Sequence, residues 1–441
     1  MAARLKTLRA LQVLDSRGSP TVEAEALLED GTAASAQVPS GASTGRHEAK
    51  ELRDGSSGAY SGRSVLRAVE SVNGPIANEL RGWPIDECDR ADRAMIELDG
   101  TPDKSRLGAN AILAVSCALA RLHAKAAGLP LWRLLAGGRP AKIPLPMVNV
   151  LSGGLHAGRQ IEFQDFLAVP HGAATFAEAL EAAAAIHRSM GELLASDGRA
   201  SAGVADEGGW GPRLDSNEQA LAYMVRAIES AGYEPGRQVS IAIDAASSHF
   251  YRDGAYCLSS EGRKLDSGGM VELFRHWVSR YPIVSIEDGL AEDDWDGWKR
   301  ACARLGGRCA LIGDDLLATN PARLERAVAE RAANAVLVKM NQVGTLSETL
   351  QVVDRAAEAG FAAVVSARSG ETEDSFLADL AVATGAGHIK VGSVTRSERL
   401  AKYNRLLRIE AGFDADRPAG LAPVRPLGHH GFKGGVRVND A

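Results

Sequence analysis

A chain of 441 residues is longer than one domain usually needs and holds enough material for a sizeable core. Hydrophobic residues at 45% and charged residues at 24% exclude an intrinsically disordered chain. The formal net charge of −6 is small for this length and the basic residues are dispersed, which argues against a nucleic-acid or membrane surface and leaves a small molecule as the expected partner. Cys88, Cys117, Cys257, Cys302 and Cys309 show no CxxC spacing, so neither a disulfide framework nor a zinc site is expected. With no signal-peptide core at the N-terminus and no window of membrane-spanning length, the expected compartment is the cytoplasm.

From Leu11 to about Val38, "LQVLDSRGSPTVEAEALLEDGTAASAQV" alternates apolar and polar residues around Gly and Pro, as short antiparallel strands do. The small residues of "PSGASTG", from Ser40 to Gly45, predict a mobile loop able to offer hydroxyls and backbone groups to an anion or ion. They lack the spacing of a nucleotide-binding loop. "ANAILAVSCALARLHAKAAG" predicts a helix ending at Gly128, with Pro130 as a stop. The Gly and Pro cluster "LAGGRPAKIPLPMV" marks a domain boundary near residue 139, which divides the chain into residues 1–138 and 139–441.

Beyond that boundary "VSIAIDA", "YPIVSIED", "CALIGDD", "NAVLVKMN", "AAVVSARSG" and "HIKVGS" are apolar runs that each end in a polar residue. Helical stretches separate most of them, and the later runs recur at roughly the length of a βα unit. A β/α barrel is expected, with a doubly wound open sheet as the alternative. In a barrel these polar residues fall at the carboxyl ends of the strands, where active sites lie.

Asp244, Glu287 and Asp314 close three successive runs. Taken singly, each reads as a helix cap or loop residue. Three carboxylates brought to one mouth repel unless a cation neutralises them, and oxygen donors favour Mg²⁺. Asp288 and Asp315 are expected to support that set or to cap loops. Lys339 ends the next run among apolar neighbours, where burial and a nearby cation disfavour the ammonium, so it is a candidate base; structural pairing with an acid is the alternative. Arg368, Ser369 and Lys390 on the last runs suit a carboxylate or phosphate. In "VADEGGWGP" the paired glycines bring Asp206 and Glu207 close to a ligand, and Glu207 is a candidate acid opposite Lys339.

Together with "DSRGSPTVE", "HEAKELRDG", "SIEDGLAEDDWDGW", "NQVG", "RSGETED" and "AKYNRLLRIE", these stretches resemble the enolase family along nearly the entire chain and in its order. The resemblance implies an α/β fold, an enolase-type modified β/α barrel of ββαα(βα)6 order preceded by an N-terminal α+β domain that caps it with mobile substrate loops. It also implies an enolase-type hydro-lyase, a homodimer or higher oligomer, and two Mg²⁺ per active site. On this resemblance Asp244, Glu287 and Asp314 hold the first Mg²⁺ and Ser43 holds the second with the substrate phosphate. Lys339 takes the C2 proton and Glu207 assists departure of the C3 hydroxyl. Arg368 and Ser369 hold phosphate, Lys390 lies on the carboxylate side, and His156 and Gln164 match further active-site positions.

The chain departs from the family pattern at several places. Ala367 stands where the family has histidine, Asp165 where it has Glu beside the substrate, and Arg159 where Gly or Asn is usual. Ser152, Leu155, Ala205 and His249 are further departures. With the acid, the base and the Mg²⁺ set kept, this clustering favours the same chemistry on a larger substrate. That substrate would be a phosphorylated or phosphonylated three-carbon acid with an added carboxyl, which Arg159 would pair with in space freed by Ala367. The branch with that property is carboxyphosphonoenolpyruvate synthase of phosphinothricin-type antibiotic pathways. The alternatives are an ordinary enolase acting on 2-phosphoglycerate and a catalytically idle structural or binding protein.

Overall fold

The structure is a computed structural model that describes residues 3–41, 45–55, 58–199, 203–414 and 418–421. Three antiparallel strands, Leu5–Leu14, Pro20–Leu28 and Ala33–Gln37, open the chain in sequential order. The middle strand buries every second residue, Val22, Ala24, Ala26 and Leu28, as a half-covered sheet requires. The Ala-rich helix Ala109–Ala126 lies across that sheet and is buried on nearly all faces, because small side chains let the backbones approach closely. It ends as expected, two residues before Gly128.

Asp92, on the helix Cys88–Asp99, is 2% exposed and accepts a hydrogen bond from Ser347 N at 3.0 Å. Burial pushes its pKa up to about 6 from 3.8. A carboxyl raised in the folded state stabilises the fold fully below about pH 4 and loses that contribution as pH rises through about 6. Asp92→Asn should therefore flatten the pH dependence of unfolding over that window, by on the order of 3 kcal/mol. Denaturant titrations between pH 4 and 7 read this directly.

The second half forms a closed eight-stranded barrel. In chain order its strands are Leu145–Ser152, Asp165–Val169, Ser240–Asp244, Ile283–Glu287, Ala310–Gly313, Ala335–Val338, Ala362–Ser366 and His388–Gly392. The six apolar runs read from the sequence are the last six of these. The first two lie outside the βα recurrence because they are joined without an α-helix, and the second strand runs antiparallel to both neighbours. Two helices, Phe176–Ser196 and Asn217–Ser230, follow the second strand, and six strand-helix units complete the ββαα(βα)6 order. A closed barrel replaces the open-sheet alternative. The three short strands Tyr251–Arg252, Ala255–Leu258 and Arg263–Leu265 form a small sheet of their own after the third barrel strand.

Ala242, Ile312, Leu337 and Val364 belong to one apolar cluster fed by the barrel strands, separate from the larger core shared with the helices. A strand returns to the same face every second residue. Asp244, Asp314 and Lys339, each two residues past one of these inward positions, therefore aim into the mouth. Glu287 and Lys390 stand in the same register, two past Ser285 and His388.

The N-terminal residues reach the barrel mouth through defined contacts. Ser40 and Gly370 exchange backbone hydrogen bonds of 2.8 and 2.9 Å, and Ala49 N donates to Gln342 O at 2.8 Å. Arg121 grips Asp374 with two hydrogen bonds of 2.6 Å. Among the described residues, no helix is long and apolar enough to cross a membrane.

Candidate active site

Five charged side chains from neighbouring strand ends interlock at the mouth. Lys390 Nζ donates to Asp244 Oδ2 at 2.7 Å and to both oxygens of Glu287 at 2.8 Å. Lys339 Nζ pairs with Asp314 Oδ2. Gln164 Nε2 reaches Asp244 Oδ2 at 3.1 Å, and Gln342 Nε2 reaches Asp314 Oδ1 at 2.8 Å. Burial works against charge on all five groups, and the pairs decide the outcome. Asp244 and Asp314 are held below the usual carboxylate range by Lys390 and Lys339 respectively. Burial and the neighbouring Asp244 push Glu287 well above that range.

Lys339 takes the pairing with an acid that the sequence offers as its alternative. Burial does disfavour its ammonium, but the contact with Asp314 outweighs burial and raises its pKa. Its ammonium is paired with Asp314 in this structure.

Three buried carboxylates offer only oxygen donors, the set that suits a hard divalent cation. Gln164 Oε1, buried beside Asp244 with no hydrogen-bond partner, adds an unused oxygen acceptor on the same wall. The possible ligand atoms that lie within 4.8 Å of one another belong instead to His156, Asp165 and Glu207, and to Asp288, Asp314 and Asp315. Asp244, Glu287 and Asp314 do not form one such group here; Lys390 bridges the first two and Lys339 pairs with the third. Asp288 props the neighbouring loop, accepting from Asp314 N at 2.9 Å and Asp315 N at 2.8 Å. Ser43, the expected holder of a second ion, lies outside the described residues.

The acid wall comes from the first two barrel strands and the 203–216 loop. His156 sits on the turn Gly154–Ala157 between those strands. Its Nδ1 lies 2.9 Å from Asp165 Oδ2 and its Nε2 3.9 Å from Glu207 Oε1. Burial opposes charge on the imidazole, yet Asp165 and Glu207 raise its pKa to about 9. Glu207 is in turn held low against burial by His156.

The two glycines after Glu207 serve different ends. Gly208 takes φ 92°, which a side chain resists, and Gly209 packs so closely that a Cβ there would lie 2.8 Å from Asn149 Oδ1 and Ser152 Oγ. Gly209→Ala should displace the Glu207 loop, lowering stability by about 1–3 kcal/mol and reducing kcat. Thermal unfolding with steady-state rates checks both.

Asp165 is not on the cavity wall. It is fully buried behind His156, and its Oδ1 accepts from Asn149 Nδ2 at 2.6 Å and Ser152 Oγ at 2.8 Å. The substrate contact expected of it is replaced by a role in orienting the imidazole.

The opposite wall carries Ala367, Arg368, Ser369 and Lys390. Arg368 Nη1 donates to Glu48 Oε2 and to Asn341 Oδ1, each at 2.9 Å, and Arg17 Nη1 reaches Ser369 Oγ at 3.4 Å. Arg399, fully buried, donates to the carbonyls of Arg368 at 2.7 Å, Val391 at 2.9 Å and Ser369 at 2.7 Å, fixing the loop from below. Arg159 is exposed and faces a separate groove, not the wall that holds Ala367. The pairing of Arg159 with a substrate group in the space beside Ala367 is therefore not formed.

Sequence reasoning missed Glu48, Asn341, Gln342, Asn149 and Arg399. All five are polar or charged residues 5% exposed or less. For four of them the signal lay in "HEAKE", "NQVG" and "MVNVLSGG", where a polar residue interrupts what folds as buried chain; Arg399 had no such signal.

A closed barrel whose second strand is antiparallel brings acids and lysines together at its carboxyl-end mouth, a constellation that suits proton-transfer chemistry in the class of β/α-barrel enzymes. Residues 5–135 match the family model "Enolase, N-terminal domain" and residues 140–418 match "Enolase, C-terminal TIM barrel domain". The chain is also 51% identical over 412 residues to "Enolase 1" of Methylococcus capsulatus (Bath), covering 93% of this chain and 98% of that protein. The chain belongs to the enolase family and is an enolase-type hydro-lyase; the family depends on Mg²⁺. That identity, over nearly all of a protein named plainly as an enolase, favours the ordinary enolase reading over the antibiotic-pathway branch, which nothing else supports.

Proposed function

We propose that this protein dehydrates 2-phosphoglycerate to phosphoenolpyruvate with Mg²⁺. The observation that carries the reading is that Lys339, Glu207, His156 and Arg368 line one small cavity at the barrel mouth, base and acid among them. Lys339 breaks the C2–H bond and keeps the proton. Glu207, supplied with a proton by the His156 imidazolium beside it, gives that proton to the C3 hydroxyl, which leaves as water as the C2–C3 double bond forms. Arg368 and Ser369 hold the phosphate, while Lys390 lies beside the carboxylate. His156, oriented by Asp165, stands next to the acid.

Asp244, Glu287 and Asp314 are the residues to hold the first Mg²⁺, with Ser43 for the second. Bound there, the ions supply positive charge where negative charge builds up on the substrate carboxylate. The same carboxylates now accept the two lysine ammoniums, and Lys339 would be free to act as an amine where Asp314 instead held the ion.

We read residues 1–138 as the capping domain and 139–441 as the catalytic domain, a division close to where the two family matches meet. A cytoplasmic homodimer or higher oligomer completes the reading. Sedimentation velocity tests the assembly.

The deciding assay follows phosphoenolpyruvate absorbance from 2-phosphoglycerate with Mg²⁺ and with chelator. Turnover only with Mg²⁺ supports the reading, and its absence sinks it. Ala367 bears on the rate. Ala367→His places an imidazole on the cavity wall near Lys339 and Glu207, and kcat is expected to rise by roughly tenfold, less than the hundredfold or more of a fully positioned acid–base group because Lys339 and Glu207 already fill those roles. An unchanged kcat would mean that Ala367 is neutral in this pocket.

A further inference from the structure

Beside the mouth lies a groove of about 730 Å³ between the 154–162 segment and the small sheet that begins at Tyr251. Arg159, Arg252 and Lys264 are exposed on its lining, and His249 stands deeper in it. Two acids share the lining, Glu162 and Asp253. Glu162 is occupied by donors from Ser260 N at 2.8 Å, Ser260 Oγ at 2.6 Å and Asn217 Nδ2 at 2.8 Å. The three cations take no hydrogen bond or ion pair from any described side chain.

Arg159 also holds φ 60°, a left-handed conformation that a long side chain adopts at a cost. Its backbone is pinned there by a hydrogen bond from Arg159 N to Gly154 O at 2.6 Å. A turn that accepts this strain to present an unpaired guanidinium points to use of that charge.

The groove adjoins the site without sharing its lining. Its wall shares the Gly154–Ala157 turn with His156, and His249 feels the charges of Asp244, His156, Asp314 and Arg159 together.

We propose that this groove is an anion-approach subsite, anchored by Arg159, which gathers the phosphorylated acid at the barrel mouth before it enters. The inference rests on the substrate class proposed above. Unpaired cations on a concave wall raise the local concentration of an anion and speed its capture, and salt screens the effect within about 10 Å at 0.1 M.

The test compares wild type, Arg159→Asn and a control, Arg237→Asn. Asparagine tolerates the left-handed backbone, and Arg237 removes the same charge just before the third barrel strand, at the opposite end of the barrel. The value of kcat/KM for 2-phosphoglycerate is measured at about 0.02 M and about 0.5 M ionic strength, with calorimetric binding of phosphoenolpyruvate as a second readout. Arg159→Asn should lose roughly threefold or more in both quantities at low salt and match wild type at high salt, with Arg237→Asn unchanged. Equal effects of the two variants, a deficit that persists at high salt, or no deficit in either readout would each overturn the subsite. If wild type fails to turn over 2-phosphoglycerate, the proposed function falls. A salt-dependent loss of phosphoenolpyruvate binding confined to Arg159→Asn would still uphold the groove.

Discussion

Lys339→Met is expected to lower turnover of 2-phosphoglycerate by about a thousandfold or more, because it removes the group that takes the C2 proton while leaving the barrel intact. Exchange of the C2 hydrogen with deuterated solvent separates this role from that of the acid. It should vanish in Lys339→Met but persist in Glu207→Gln, where loss of the hydroxyl is blocked after the proton has left. Exchange that survives in Lys339→Met would remove this lysine from the mechanism. Methionine also leaves Asp314 with Gln342 as its remaining partner, so the melting temperature of this variant should depend on Mg²⁺ more steeply than that of wild type.

Arg368→Met should have the second largest effect, on stability as well as on rate. Arg368 is 4% exposed and its ion pair with Glu48, 5% exposed, is buried. Removing the guanidinium strands a buried carboxylate, which costs about 3–5 kcal/mol, and removes a phosphate contact. The double variant Glu48→Gln with Arg368→Met should regain more than half of the lost stability, since neither charge is then left alone. It should recover none of the rise in KM. If the double variant is as unstable as the single one, the pair is not what holds these segments together.

Much of this site could be read from the chain because strand periodicity does local work. Asp244, Asp314 and Lys339 each follow an inward apolar residue by two positions, so composition near a strand end already tells which way they aim. The strands Leu145–Ser152 and Asp165–Val169 were harder to see, since the first carries a proline near its start and runs into another strand, and the second is followed by two helices rather than one. Contacts made across long stretches of chain were invisible. Nothing near Glu48 announces Arg368, 320 residues away, and nothing near Asp165 says that its two oxygens are spent on His156, Asn149 and Ser152. Lys339 shows a different limit. Burial was legible in its apolar neighbours, but its charge is decided by Asp314, on another strand.

The bonds between Ser40 and Gly370, and between Glu48 and Arg368, also set an order of events during synthesis. At translation rates of about 5–20 residues per second, the Glu48 carboxylate leaves the ribosome some 15–60 seconds before its guanidinium partner exists. Until then the N-terminal sheet can form from its own hairpins, but the half of the pocket that it contributes has nothing to close against. A chain broken off before the seventh barrel strand would carry an acid with no counter-charge and an open strand edge. The pocket closes only once the residues from Ala362 onward have been made.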